Sequence, residues 1–172
     1  MTNDIIGAGN GWIPGELYKS IEASVPIVCV DVLLSPCDAP QQIGLIQRAT
    51  YDDGVGWCLI GGRVLRDEPL SVAVDRHVMA TLGDSIRVVR SSMRLGAVIE
   101  YFSKPGLGDF HDPRKHAVAL TYAAACDFIG ESEIKGEAID FRWFSIDELP
   151  DIDFGFGQGE AVARVLKSEG RL

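Results

Sequence analysis

The 172-residue chain contains no apolar run close to the roughly 20 residues that a membrane-spanning helix requires. Its first residues, MTNDIIGAGNGWIPG, have neither the basic segment nor the apolar segment of a signal peptide. Apolar residues make up 47% of the chain and charged residues 24%, which excludes a disordered or fibrous class. These absences predict a soluble protein that stays in the cytoplasm.

Basic charge is scarce, with 16 Lys and Arg against 25 Asp and Glu and a net charge of -9. A nucleic-acid polymer is therefore an unfavourable partner, because binding its phosphates requires clustered positive charge. A small phosphorylated ligand remains compatible, since a few local arginines suffice for it. Cysteine is also sparse, and no Cys-x-x-Cys pair occurs, so free buried thiols are favoured over a metal site or disulfides.

The remaining pattern alternates strand-like and helix-like segments. Strands are predicted at 27–34, 43–48, 57–62, 86–93, 95–102, 117–128 and 141–146. Helices are predicted within 11–24, from Asp67 or Pro69 to Gly83, and over 160–170. No linker or repeat interrupts them, so we expect one domain over residues 1–172, with residues 1–16 as an N-terminal extension. The order predicts an α/β/α sandwich, a mixed β-sheet between helices.

One stretch, Trp57 to Gly83, organises the rest of the chain. Its strand ends at the pair Gly61 and Gly62, where the backbone can turn sharply or let a ligand approach. On the following helix, a core stripe is predicted at Leu70, Val74, Val78 and Leu82. A second strip, with Ala73, His77, Ala80 and Asp84, is expected to face a ligand held by the glycine turn, with Arg76 and Thr81 at its margins.

Five residues separate Gly62 from Glu68, and seven residues separate Glu68 from Arg76. This spacing is the frame of a Nudix box. The chain resembles the GDP-mannose mannosyl hydrolase branch of the Nudix family over about residues 17–166. Shared features of the box are Gly61, Gly62, Arg63, Val64, Asp67, Glu68, Arg76, Met79, Ala80, Leu82 and Gly83. Outside the box, Asp31, Arg48, His116 and the segment RWFSIDELP occur in the expected order.

The box is degenerate, because the places of three glutamates hold His77, Ala80 and Thr81. In the mannosyl hydrolase branch, the resemblance implies metal ligands at the positions of Gly61, Thr81 and Lys115. A neutral hydroxyl and an ammonium cannot replace carboxylate and amide oxygens for Mg²⁺. We therefore expect no metal or only weak Mg²⁺ binding, with the Lys115 ammonium near the place of the ion.

Positive charge for a diphosphate is then expected from Arg48, Arg63 and Arg76, since guanidinium groups suit phosphate oxygens. The alternative is that Lys115 points to solvent, Arg76 pairs with Glu68 or a backbone carbonyl, and the pocket is vestigial.

His116 is the predicted general base, because an imidazole titrates near neutral pH and the resemblance implies a His in that role. Asp31 interrupts an apolar strand, so it either has a partner in the site or faces solvent at a strand edge. His77 is a second candidate base or weak metal ligand, and Glu68 is expected to support the turn and Arg76. The loop 103–116 is a predicted binding loop.

The resemblance implies hydrolysis of a GDP-mannose-like nucleoside diphosphate sugar at the glycosidic carbon, by a homodimer. A second hypothesis is a catalytically degenerate domain that binds or senses a nucleotide sugar, motivated by the three missing glutamates. Conventional pyrophosphohydrolysis is the least favoured, because it depends most on those glutamates.

Overall fold

The computed structural model describes residues 13–129 and 133–172, so most of the predicted extension, residues 1–12, lies outside the described residues. The helices are α1 (Gly15–Glu22), α2 (Leu70–Leu82) and α3 (Gln158–Ser168). The strands are β1 (Ile27–Pro36), β2 (Gln42–Ala49), β3 (Val55–Cys58), β4 (Ile60–Arg63), β5 (Ile86–Val88), β6 (Arg94–Phe102), β7 (Phe110–His111), β8 (Ala117–Phe128) and β9 (Ala138–Ser145).

The strands described form one mixed sheet in the order β3-β2-β1-β8-β6-β7. Strand β4 pairs with β1, β5 with β8, and β9 with β2. The central pair, β1 and β8, is parallel along its whole length, from Ile27 opposite Ala117 to Pro36 opposite Cys126. Apolar residues fill both strands because the sheet is covered on both sides here.

Successive side chains of β1 point alternately into hydrophobic cores on the two sides of the sheet. Val30, Val32 and Leu34 pack in the cluster that contains the inner face of α2, whereas Cys29 and Leu33 face clusters that include α3 residues. Because successive side chains of a strand point to opposite faces, α2 and α3 cover opposite sides of the sheet. The predicted α/β/α sandwich with a mixed sheet between helices is confirmed.

The predicted core stripe of α2 is confirmed, since Val74, Val78 and Leu82 are buried and Leu70 packs against the same cluster. The expected cap is wrong, because the helix starts at Leu70 with Pro69 as its N-cap residue and no side-chain cap. Asp67 lies before the helix in a turn, with φ 60°. Gly83 ends α2 at φ 65°, as expected of a C-terminal glycine.

Two predicted strands are shorter than expected. The segment 57–62 is split between β3 and β4, because β3 pairs with β2 and β4 pairs with β1. At the break, the Leu59 N–H donates to Gln158 Oε1 at 2.7 Å instead of to a neighbouring strand. The segment 86–93 keeps only β5 as strand and then turns through a short 3₁₀ helix at Arg90–Ser92.

All four cysteines are free thiols, as predicted, with Cys29, Cys58 and Cys126 buried and Cys37 exposed. None of the helices in the described part of the chain is long and apolar enough to cross a membrane.

Candidate active site

A cavity of about 100 Å³ opens on the α3 side of the sheet, where β1, β4 and β8 meet. Asp31 of β1 lies opposite Gly61 of β4, and a Cβ atom at Gly61 would stand only 2.1 Å from Asp31 Oδ1. Glycine is therefore required for the close approach of this backbone to the carboxyl group. The glycine pair places Asp31 and the β4 backbone together on the cavity wall.

The Asp31 side chain is buried, with only 8% of the residue exposed. Burial raises the pKa of this carboxyl group to about 7, although the positive charges of Lys115 and Arg48 oppose the shift. A carboxyl group with this pKa exchanges a proton near neutral pH, which is the property of a general acid or base.

Two cations reach the cavity from a tight turn before β8. The Lys115 N–H donates to the Asp112 carbonyl at 3.3 Å, and Pro113 occupies the position of the turn that favours a fixed φ. Arg114 holds the buried Asp112 carboxylate through its Nε at 2.8 Å and its terminal nitrogen at 2.7 Å. Burial opposes ionisation of Asp112, but these hydrogen bonds outweigh it and lower its pKa. The turn thus presents both Arg114 and Lys115 to the cavity.

A hydroxyl group without a partner lies beside Asp31. The Thr121 hydroxyl is buried and has no hydrogen-bond partner within the described residues, and Thr121 lies directly opposite Asp31 in the β1–β8 register. The buried Tyr101 hydroxyl, on the cavity wall, interacts with the Gln158 side chain. Since buried polar groups are normally hydrogen-bonded, the Thr121 hydroxyl marks a place suited to a polar ligand group or water.

The cavity thiols are not nucleophiles. Burial raises the pKa of Cys29 to about 11 and that of Cys58 to about 12. Both therefore stay protonated at neutral pH, and the thiolate is the reactive form. Chemistry at this site consequently depends on Asp31 and the surrounding cations.

Five of the sequence-predicted site residues come together on the cavity lining: Asp31, Arg48, Gly61, Gly62 and Lys115. The alternative in which Asp31 faces solvent is wrong, because the residue is buried. Lys115 also lines the cavity, although the alternative placed it in solvent.

His116 does not line the cavity, in contrast to its neighbours Lys115 and Ala117. Its ring instead stacks on Phe102, with ring centroids 4.9 Å apart and an angle of 29° between the planes. Its Nε2 atom is buried without a hydrogen-bond partner among the described residues. The predicted base, which immediately precedes β8, thus lies outside the cavity that Asp31 lines, because adjacent residues of an extended chain project to opposite sides.

Arg76 supports the turn between β4 and α2. It donates to both Glu68 oxygens, at 2.6 and 2.8 Å, and to the Arg63 carbonyl at 3.0 Å. The Arg76 hydrogen bonds lower the pKa of Glu68 to about 2, although burial acts against them. One of the two alternatives from the sequence paired Arg76 with Glu68 or a backbone carbonyl, and the structure shows both contacts. These contacts hold Arg76 in the turn, so it is not placed for a catalytic role.

The α2 helix does not reach the cavity, because it packs on the opposite face of β1. His77 Nε2 lies 3.1 Å from the Arg63 carbonyl, and the His77 ring fills the space beside Gly62. Ala73 is fully buried in the core, and the Thr81 carbonyl accepts a hydrogen bond from Lys135 N–H. The strip on α2 that was expected to face a ligand therefore does not line this cavity.

Arg63 does not line the cavity either, and its Cζ atom lies 4.9 Å from the centroid of the Tyr18 ring.

Sequence reasoning missed Arg114, Tyr101 and Gln158. The loop 103–116 was predicted to bind ligand, and Asp-Pro at 112–113 is a turn signal that indicates where its cations project. Tyr101 and Gln158 carry no such signal, because they reach the cavity only through the pairing of β6 with β8 and the start of α3.

The described residues do not fit a divalent cation bound by the box. No three His, Cys, Asp or Glu side chains come together among them. Glu68 is held by Arg76, His77 faces a carbonyl oxygen, and Ala80 has no ligating side-chain atom. Mg²⁺ normally takes oxygen ligands that include a carboxylate. The donor set at the box lacks such a free carboxylate.

The sandwich, with the Gly62–Glu68–Arg76 frame joining β4 to α2, is a Nudix fold. The chain belongs to the family described as "Domain of unknown function (DUF4916)", whose model matches residues 8–168. None of the curated proteins compared with the chain matches it significantly.

Solved structures agree with this fold. One from Jonesia denitrificans, described as a possible asymmetric diadenosine tetraphosphate hydrolase, is 30% identical, with a TM-score of 0.75, over 87% of this chain and 98% of that chain. A MutT NUDIX hydrolase from Burkholderia pseudomallei is 27% identical, with a TM-score of 0.56, over 72% and 86%. The NUDIX domain of Shewanella oneidensis NrtR, complexed with ADP ribose, is 18% identical, with a TM-score of 0.61, over 84% and 88%, and shows the fold alone.

Proposed function

We propose that the chain hydrolyses a nucleoside diphosphate sugar that resembles GDP-mannose. The bond is broken at the glycosidic carbon. The observation that carries this proposal is the buried Asp31 carboxyl group, with its pKa near 7, in a cavity lined by Lys115, Arg48 and Arg114. In a chain of net charge -9, three cations around one cavity favour an anionic ligand.

In this reaction, the oxygen of a water molecule forms a bond to the anomeric carbon while Asp31 accepts a proton from that water. The bond from the anomeric carbon to the diphosphate oxygen breaks, and its electron pair leaves with the nucleoside diphosphate. Lys115 and Arg48 stabilise the charge that develops on the leaving oxygen. The free sugar and an intact nucleoside diphosphate are the products.

Asp31 replaces His116 as the proposed base, because Asp31 lines the cavity and His116 does not. We also propose that the reaction needs no bound metal, since the box offers no free carboxylate and Lys115 brings a cation to the glycine pair. Mg²⁺ would then act weakly at most, through the ligand's phosphates.

A second candidate is binding or sensing of a nucleotide sugar without turnover. The observation that favours it is the absence of glutamates from the last turns of α2, where His77, Ala80 and Thr81 stand. The description of the Shewanella oneidensis domain as a complex with ADP ribose adds a precedent for ligand binding by this fold.

Incubation with a panel of nucleotide sugars, with Mg²⁺ or with a chelator, followed by product identification, separates these functions. Free sugar plus nucleoside diphosphate, formed equally with chelator, supports the proposal. Sugar phosphate plus nucleoside monophosphate contradicts it, and calorimetric binding without products supports the second candidate.

The choice of base is tested by two variants. Asp31→Asn is expected to lower kcat at least ~100-fold, because an amide cannot accept the proton. For the wild type, kcat/KM is expected to rise with pH through about 7, since only the ionised carboxylate acts as base. If His116→Ala removed activity while Asp31→Asn kept it, the base would be His116.

The cytoplasmic location and the homodimer implied by the resemblance also remain proposals. Sedimentation velocity distinguishes a dimer from an 18.7 kDa monomer.

A further inference from the structure

An aromatic ring lies close to two guanidinium groups at the cavity. The Phe156 ring centroid is 5.4 Å from Arg48 Cζ and 5.2 Å from Arg114 Cζ. All three residues line the cavity, so the two cations are held within reach of one ligand. Contact with an aromatic face orients a guanidinium group without neutralising its charge.

The backbone at Phe156 is unusual, with φ 57° and ψ 19° in the left-handed region. A bulky residue in this conformation is strained, and such residues cluster at ligand sites. Glycines flank it at Gly155 and Gly157, and either neighbour would accept this conformation more easily. The conformational preference of the backbone therefore does not explain why a phenylalanine occupies this position.

Arg48 already holds an anion. Its terminal nitrogen donates to the Glu137 carboxylate, and the Glu137 side chain is 75% exposed. The Nε atom of Arg48 is buried and has no acceptor within the described residues. This guanidinium group therefore holds an exposed carboxylate through a terminal nitrogen, while its buried Nε atom has no acceptor within the described residues.

Arg114 is held differently. Its bond with the buried Asp112 is bidentate and fixes the position of the guanidinium group. Its pKa is raised chiefly by the Asp112 hydrogen bonds, and the charge of Glu137 adds to the shift. The Glu137 carboxylate consequently acts on both arginines that contact Phe156.

We propose that Arg48, Phe156 and Arg114 form a second anion subsite beside Asp31 and Lys115, and that Glu137 occupies it until a ligand phosphate displaces it. This subsite rests on the proposed function and extends it, because it would bind a phosphoryl group of the diphosphate. Glu137 is then a competitor within the protein, and its removal strengthens ligand binding.

The test compares Glu137→Gln with Glu133→Gln, using inorganic pyrophosphate as the probe in calorimetry at low salt. Glu133 is a matched control, because it lies in the same connection, is 75% exposed and pairs with Lys135 instead of a cavity residue. Each variant removes one negative charge. We expect a roughly three- to five-fold lower Kd for Glu137→Gln and less than a roughly two-fold change for Glu133→Gln.

The same substitution in an Arg48→Gln background isolates the contact. The gain from Glu137→Gln is expected to fall below roughly two-fold there, because the hydrogen bond with Arg48 is lost and only the effect of the Glu137 charge on Arg114 remains. Equal gains for both single variants, or an undiminished gain without Arg48, would show a general charge effect and overturn the subsite.

Two outcomes distinguish failure of the subsite from failure of the proposed function. If nucleotide sugars are hydrolysed and Glu137→Gln leaves the pyrophosphate Kd unchanged, the subsite is wrong and the function stands. If the expected gain occurs and no nucleotide sugar is hydrolysed, the subsite stands and the function is wrong.

Discussion

At the scale of single residues, burial of the Asp31 carboxyl group determines how the free energy of unfolding changes with pH. In an unfolded chain this carboxyl group ionises near the ordinary aspartate pKa of 3.8, whereas the folded protein retains the proton to a pKa of about 7. The unfolded state therefore loses its proton first, and the free energy of unfolding falls as pH rises from about 4 to 7. Above that range, the full cost of the buried charge is present, at most about 4 kcal/mol.

We predict that Asp31→Asn stabilises the protein at pH 8 and that the gain over wild type shrinks by about 2–3 kcal/mol at pH 5. Urea unfolding at both pH values measures the difference. Asp38→Asn is the control, because it makes the same substitution at an exposed position. A gain independent of pH would mean that Asp31 titrates alike in the folded and unfolded states.

The sequence-predicted residues Gly61, Gly62 and Asp31, which line the cavity, share a direct link to backbone geometry. Gly61 and Gly62 follow from the spacing, and Asp31 follows from a charge in an apolar strand. His116, just before β8, shows where such reasoning stops, since one position along an extended chain decides which side a side chain occupies. The sequence spacing predicted that His116 lies near the site, but it did not predict which way the side chain points.

At the scale of elements, the pairing of β4 with β1 leaves no space at Gly61. An added Cβ would meet Asp31 Oδ1 at 2.1 Å and the Val30 carbonyl oxygen at 2.3 Å. The second atom belongs to the backbone and cannot rotate away, so the two strands would have to separate.

We predict that Gly61→Ala lowers the free energy of unfolding by at least about 3 kcal/mol or prevents folding. Gly15→Ala is the control, because nothing lies within 4 Å of a Cβ there and alanine favours the helix α1. Thermal unfolding of both variants checks the prediction. Two variants of similar stability would contradict the close packing of β4 on β1.

Long periodic elements were predictable from sequence, and the junctions between them were less so. The α2 core stripe follows from its 3.6-residue period, and β8 from its apolar length. The break between β3 and β4 depends on Gln158, almost 100 residues later, which accepts the hydrogen bond of Leu59. A local pattern contains no information about such a partner.

At the scale of the whole molecule, the net charge is -9 and acidic residues neutralise much of the positive charge on the surface. Several surface arginines away from the cavity are paired with carboxylates, as in Arg87–Asp127, Arg90–Asp75 and Arg142–Glu148. Such pairs neutralise positive charge that a long polyanion would need along its path.

We therefore predict no measurable binding of a single-stranded oligonucleotide of about 20 nucleotides at ~150 mM salt. Fluorescence anisotropy of a labelled oligonucleotide checks this. Saturable binding at micromolar protein would show a basic surface that the charge distribution does not indicate.

The parallel pairing of β1 with β8 also has a consequence for how the protein is made. Asp31 leaves the ribosome ninety positions before its strand neighbour Thr121, and Gln158 follows later still. Contacts between distant parts of a chain form slowly, because a long loop must close first. A nascent chain that ends before β8 already carries the complete box frame and lacks the β8 and Gln158 side of the cavity, so this site is assembled only after residues 117–158 have been made.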